Sequence, residues 1–336
     1  MAVLDFLKHR STAQAPALVQ LNVVPLGRSN AGKTASLIAL FATTIEHRLP
    51  SGFLLSAGDP RKVNELRNEY KQARRDLRDG KLPSTLVERT FRFGLSRGPI
   101  RYADVSLGEQ VGQVLTGVTS ASPKDEQERY NQVARRLATA DVIHVTLPVL
   151  PASPTAAERD RFRDDLAITD CWLNQSLQDH GDRPVNVAVL LTKLDAAYQT
   201  LEDAREELSD EVIYGQLEPI IRTLEAFDNV QEAALFPVTA FGMGNSAVIT
   251  PAATDPSPVD IESVPEKKYL LERDASFEPF NYDAVMIWTL LAGLMQQEPP
   301  RETFELIQQA GIHLKQDLQR TDPWFLPVRG LLTQLD

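Results

Sequence analysis

Eight consecutive residues, Gly27-Arg28-Ser29-Asn30-Ala31-Gly32-Lys33-Thr34, constrain this chain more tightly than any other part of it. They match G-x-x-x-x-G-K-[ST] in full, directly after an apolar run of strand length (residues 19–26) and at the start of a helical pattern (residues 34–47). That order matters, because such a segment holds a phosphate only where it turns sharply from a strand into a helix. The glycines let the backbone close around an anion, and successive N–H groups and the helix N-terminus then point at it. Gly27, Arg28, Ser29, Asn30, Ala31, Gly32, Lys33, Thr34 and Ala35 are the expected phosphate contacts. Lys33 is placed to neutralise the outer phosphates of a nucleotide, and the Thr34 hydroxyl to ligate Mg²⁺. A glycine-rich turn arising by chance is the competing account, and it leaves the joint match of strand, spacing and helix unexplained.

A strand feeding such a loop has to lie in a sheet that helices cover. Apolar runs at residues 19–26, 90–95, 100–105, 141–147, 185–191 and 234–238 read as strands, and longer helical patterns stand among them. This predicts an α/β fold of three layers, a mixed, mostly parallel six-stranded sheet with helices on both faces. Ser96-Arg97-Gly98-Pro99 reads as a hairpin turn, which makes the strands on either side of it antiparallel. Helices are expected at residues 34–47, 61–79, 124–138, 155–178, within 201–227, and at 283–297 and 302–319. In the second of these Val63, Leu66, Tyr70, Ala73 and Leu77 share one face, and Gly80 stands where a C-terminal cap belongs. Three parts follow: an N-terminal amphipathic segment (1–17), a main domain (18–297) and a C-terminal helical extension (298–336). The main domain carries a helical insertion at about 60–80 and a mobile acidic insertion at about 246–268, the latter marked by its prolines and acidic residues.

Composition narrows the partners. A formal charge of −11 makes a general nucleic-acid binder or an anionic-membrane binder a poor expectation, since both need basic surface. One cysteine, Cys171, cannot form an internal disulfide, which fits a reducing cytoplasm. The longest later apolar stretch, residues 284–295, is too short for the roughly 20 residues of a bilayer span and reads as a buried helix. The N-terminal apolar run is too interrupted for a signal peptide.

Two further segments bear on the base of a nucleotide. Thr192-Lys193-Leu194-Asp195 follows the strand at 185–191, at the end of a sheet where open α/β folds place their ligand loops. A carboxylate there can accept from guanine N1–H and the N2 amine, whereas adenine lacks that pair of donors and would leave it unpaired. The Lys193 stem can lie over the base. Read alone, Lys193 and Asp195 are equally well solvated loop charges. Val238-Thr239-Ala240-Phe241-Gly242 follows the last strand in the same way.

With these three segments in this order, the chain resembles the P-loop GTPases of the Ras-like and translation-factor class over residues 18–297. In detail it is similar to the bacterial double-GTPase families of conflict and signalling systems. The features behind the closer likeness are T-K-L-D in place of N-K-x-D, the inserted helix ending in Gly80-Lys81-Leu82-Pro83-Ser84-Thr85, and Phe277-Glu278-Pro279-Phe280 before the last domain helix. The resemblance implies a P-loop NTPase fold, the G domain, binding GTP or GDP with Mg²⁺. It implies that Thr239, Ala240 and Phe241 offer the base a backbone N–H. It makes Thr85 a metal-reaching threonine, with Thr90 competing for that role. The family's D-x-x-G is matched only by Asp104-Val105-Ser106-Leu107-Gly108, one residue too long: either Asp104 supports the metal and Gly108 senses the γ-phosphate, or Asp104 is a structural strand-end residue. Gln110 is the candidate to orient water, and Lys33 and Arg28 the candidates to stabilise transferred charge. The implied function is a slow, Mg²⁺-dependent GTPase switch. A GTP-binding scaffold without turnover is the alternative, and a P-loop ATPase a second one. Unidentified protein partners are expected at the switch region or the C-terminal helix, and a homodimer could supply a missing catalytic group.

Overall fold

Val19, Leu21 and Val23 of the first strand, β1 (Val19–Leu26), enter one apolar cluster, whereas Val24 and Leu26 enter a second. A strand buried on both faces is stable only between two layers of cover. The computed structural model describes residues 18–28, 31–44, 47–56, 61, 64, 68, 71–72, 89–109, 123–151, 153–240, 242–243, 246–249, 268–271, 278–297 and 301–330.

The other strands are β2 (Leu54–Ser56), β3 (Arg89–Arg97), β4 (Ile100–Glu109), β5 (Val142–Pro148), β6 (Val185–Thr192), β7 (Val230–Pro237), β8 (Ser246–Ile249), β9 (Lys268–Leu271) and β10 (Leu326–Arg329). The helices are α1 (Lys33–Thr44), α2 (Pro123–Ala138), α3 (Ala156–His180), α4 (Leu194–Ala197), α5 (Leu201–Glu207), α6 (Asp210–Gln216), α7 (Glu218–Ala226), α8 (Tyr282–Gln296) and α9 (Arg301–Arg320). The main sheet runs in the order β10-β7-β6-β5-β1-β4-β3-β2. Its five middle strands, β7 to β4 in that order, are parallel, and β10, β3 and β2 are antiparallel to their neighbours.

The protein is therefore α/β, with a mixed and mostly parallel sheet. The sheet has eight strands where six are expected. The two additions, β2 and β10, are edge strands of 3 and 4 residues, too short to show a readable period. A second difference has larger consequences. β4 continues to Glu109, four residues beyond its expected end, because Ala103, Val105 and Leu107 keep the alternation that fills the core. The polar residues between them, Asp104 and Ser106, take the other face and give the false look of a strand end.

One cluster joins α1, α8 and α9 to the sheet, and the other joins α2, α3 and α7 to its opposite face. Helix α8 is the hub of the first: Val285, Met286, Ile287, Trp288, Leu290, Leu291 and Leu294 are all at most 2% exposed. Each such side chain contributes about 1.5–3 kcal/mol of burial. Helix α3 starts where Thr155 and Glu158 form a reciprocal capping box. The stretch at 201–227 is divided into α5, α6 and α7, with Thr200 and Ser209 capping the first two. The C-terminal segment supplies an edge strand as well as its helix. Buried Asp317 of α9 accepts from the Ser51 backbone N–H at 2.9 Å and so ties α9 to the turn before β2. The ends of the acidic insertion pair as an antiparallel hairpin, β8 with β9. Of the helical insertion, Arg61, Asn64, Asn68, Lys71 and Gln72 are helical and exposed, and its remaining residues lie outside the described ones, as do residues 1–17. Among the described residues no helix is long and apolar enough to cross a membrane.

His144, in the middle of β5, is a core residue. The Thr289 hydroxyl donates to the Val285 carbonyl at 2.7 Å, so at 2.8 Å it accepts from His144 Nε2–H, and the ring is neutral. Burial lowers its pKa to about 4 from an ordinary 6.5. Between those values the unfolded chain binds more protons than the folded one, so stability falls as pH falls from 6.5 towards 4, by about 3 kcal/mol from this ring. Urea unfolding of the native protein and of His144→Gln at pH 7 and pH 4.5 checks this. The native protein is expected to lose more stability than the variant, and equal losses would refute the assignment.

Candidate functional site

The sheet order sets where a ligand can sit. From β1 the chain crosses to β4 on one side and later returns to β5 on the other. Helix α1 leaves β1 over one face, and α3 leaves β5 over the opposite face. The crevice where two such loops part, outside the carboxyl ends of β1 and β5, is where open α/β sheets take ligands. The segment Gly27–Thr34 lies at that point.

Its geometry is tightly determined. Gly32 has φ +94°, a backbone that L side chains rarely adopt, and a Cβ on Gly27 would lie 2.3 Å from Thr146 Oγ1. Lys33 is only 7% exposed, and its ammonium donates to the Gly27 and Arg28 carbonyls, each at 2.6 Å. Folded back over the loop in this way, it sets a positive charge among the backbone groups that would meet a phosphate. Thr34 and Ala35, partly exposed, occupy the first turn of α1. Behind the loop, Ser36 Oγ and the Tyr282 hydroxyl are 2.8 Å apart, joining α1 to α8. Burial raises the Tyr282 pKa and keeps its phenol protonated. Ser29 and Asn30 lie outside the described residues.

A chain of buried hydrogen bonds joins this loop to the two others singled out in the sequence. The Thr192 hydroxyl donates to the Ala31 carbonyl at 2.6 Å, across 161 residues, with the Leu147 carbonyl at 3.1 Å. Three residues on, Asp195 is 8% exposed, and its Oδ1 accepts from the Thr239 hydroxyl at 2.6 Å. That same oxygen of Thr239 accepts the Gly242 N–H at 3.3 Å, and the Thr239 carbonyl accepts from Phe280 N–H at 2.9 Å. Between the two, Lys193 is held at φ 61°, in the left-handed region. Such a conformation costs a non-glycine residue about 1 kcal/mol or more and concentrates at ligand sites. Ala240 is buried beside Thr239, and Phe241 lies outside the described residues.

The switch candidates are placed differently. Asp104 is not at a strand end: it stands opposite Gln20, six residues before Leu26, about 20 Å back along the strand from the loop. Its carboxylate is paired with Arg101 and accepts from Gln20 Nε2 at 3.3 Å. Gly108 lies within β4, opposite Thr90 of β3. Two residues past the Val23–Leu107 pair, the residue of β4 that comes level with Pro25, just below the loop, is Glu109. Thr85 and Gln110 lie outside the described residues. The Arg28 guanidinium bonds Asp165 of α3 at 2.6 Å, so the loop is tied to that helix. Burial raises the Asp165 pKa, and the charge of Arg28 opposes that shift.

Sequence reading passed over Thr146 and Asp165. A hydroxyl within the apolar run of β5 is a visible signal for the first. An acid on a charged helix gives none for the second. No protein-family model matches the chain, and no curated protein matches it significantly.

Proposed function

We propose that this chain is a P-loop nucleotide-binding protein with a G-domain fold. More narrowly, it is a guanine-nucleotide-binding protein that hydrolyses GTP slowly, with Mg²⁺, as a regulatory switch in a bacterial signalling or conflict system. One observation carries the reading: the Ala31–Thr192 and Asp195–Thr239 hydrogen bonds join three loops, far apart in sequence, at the carboxyl ends of the parallel strands β1, β6 and β7. In this reading Lys33 and the N–H groups of residues 27–35 hold the phosphates. Asp195 accepts from guanine N1–H and N2, Lys193 covers the base, and the Thr239–Phe241 backbone meets O6.

The register of β4 supports a change in the switch assignment. Glu109 takes the strand-end carboxylate role and Gly112 the glycine three residues later, so that Glu109-Gln110-Val111-Gly112 replaces the segment 104–108. Mg²⁺, held from Thr34 and supported from Glu109, would offset charge developing on the phosphates. Lys33 stabilises that charge directly, and Gln110 orients the attacking water. The alternative, a scaffold that binds GTP without turnover, draws on Arg28, whose guanidinium is engaged by Asp165.

The test is calorimetric titration of nucleotide-stripped protein with GDP, a non-hydrolysable GTP analogue and an ATP analogue, followed by phosphate release from GTP. Guanine-only binding is expected. Asp104→Asn should release phosphate within about twofold of the native rate, and Glu109→Gln about tenfold more slowly or worse. Equal binding of the ATP analogue overturns the guanine reading, and binding without phosphate release establishes the scaffold.

A further inference from the structure

The C-terminal tail returns to the carboxyl end of the sheet and meets α5 and the segment before α8, whose Phe280 pairs with Thr239. Trp324 is at the centre of this contact. The Arg205 guanidinium, on α5, lies over the indole at 5.8 Å from the ring centroid. On another side the Phe280 ring is 6.5 Å away, and Phe280 is the residue whose backbone pairs with Thr239. The Asn281 side-chain amide donates to the Trp324 carbonyl and, at 3.0 Å, to the Pro237 carbonyl at the end of β7. Asn281 is itself held at φ 68°. Next along the tail, Phe325 stacks on Phe236 at 5.7 Å, and β10 then pairs with β7. Trp324 is partly buried and packs, with Phe280, at the margin of the second core cluster, where it joins α5 to the segment before α8.

We propose that Trp324 is a positioning residue for base recognition. Packed on Phe280, whose backbone pairs with Thr239, and covered by Arg205, it fixes the loop whose Thr239 hydroxyl orients the Asp195 carboxylate. The inference rests on the guanine reading given above. A guanine is recognised at two points at once, its N1–H and N2 donors by Asp195 and its O6 by the backbone after Thr239. Losing the indole lets the Thr239 hydroxyl, and with it the Asp195 carboxylate, shift out of register with the base. The phosphate loop, fixed by Gly27, Thr146 and Thr192, is untouched. The loss therefore falls on discrimination by the base, not on nucleotide binding in general.

The test is competition of GDP and inosine diphosphate, which lacks the N2 amine, against a fluorescent GDP on the full chain. Trp324→Ala is expected to weaken GDP about tenfold and to narrow the GDP-to-inosine-diphosphate preference about fivefold, whereas Trp324→Phe, which keeps a ring, stays within about threefold of the native protein. Arg205→Ala, an exposed position that does not threaten the fold, is expected to narrow the same preference about twofold. Equal loss for both nucleotides, or an unchanged preference in Trp324→Ala and Arg205→Ala, overturns the proposal. A native chain that fails to bind GDP at all overturns the guanine reading beneath it, which separates the two failures.

Discussion

Replacing Lys33 by alanine is expected to lower affinity for GDP and GTP by about 100-fold or more, which is about 2.7 kcal/mol, while the fold is kept. The two halves of that statement have different sources. The affinity loss follows from removing the one side-chain charge that the loop buries among its own carbonyls, where water screens it poorly. The survival of the fold follows from what remains. Gly27 and Arg28 lose a hydrogen-bond donor, a cost of about 1 kcal/mol each at most, and the loop is still held by Thr192 at Ala31 and by Arg28 at Asp165. Calorimetry with GDP and thermal unfolding of the nucleotide-free proteins, run side by side, check both halves. Native-like affinity in a folded variant would end the phosphate-loop assignment.

Asp195→Asn should have a comparable effect by a different route. The asparagine oxygen can still accept from the Thr239 hydroxyl, so the buried link between the loops survives. What changes is the group offered to the base: an amide replaces a carboxylate that accepts from N1–H and N2. GTP is expected to lose about 100-fold in affinity, and xanthosine triphosphate, whose C2 carbonyl can accept from the new amide, to gain about tenfold. ATP should gain nothing. The measurement is competition of the three nucleotides in native and variant protein, and unchanged GTP affinity would remove the guanine argument while leaving Lys33 in place.

Much of the sheet is legible in the residues themselves. Val19–Leu26 reads as a strand from its apolar residues, and β5 and β6 are close to it in kind, because a strand buried on both faces needs mostly apolar residues, whereas β7 begins at Val230, ahead of its expected start at 234, through the polar Gln231 and Glu232. The antiparallel pair β3–β4 is visible in its glycine-containing turn. β4 marks the limit. Its second half alternates polar and apolar residues, and only pairing with β1 and β3 shows that Asp104 is mid-strand and that Glu109 comes level with the loop. Short edge strands such as β2 and β10 owe their form to the neighbour they pair with, not to any period of their own.

The chain's residues alone determine its local chemistry: a glycine-bracketed turn with a lysine before a helix, a T-K-L-D after an apolar strand, a threonine-alanine pair after the next. These are properties of short segments, set by backbone sterics and by which side chains carry charge. The tertiary structure alone decides what those segments touch. The contacts of Thr192 with Ala31, Thr239 with Asp195, Asp165 with Arg28 and Trp324 with Arg205 each join residues far apart in sequence or set on different elements. Such contacts depend on strand order and register, and those are settled by burying both faces of one sheet at once, a condition that no local window of the sequence contains.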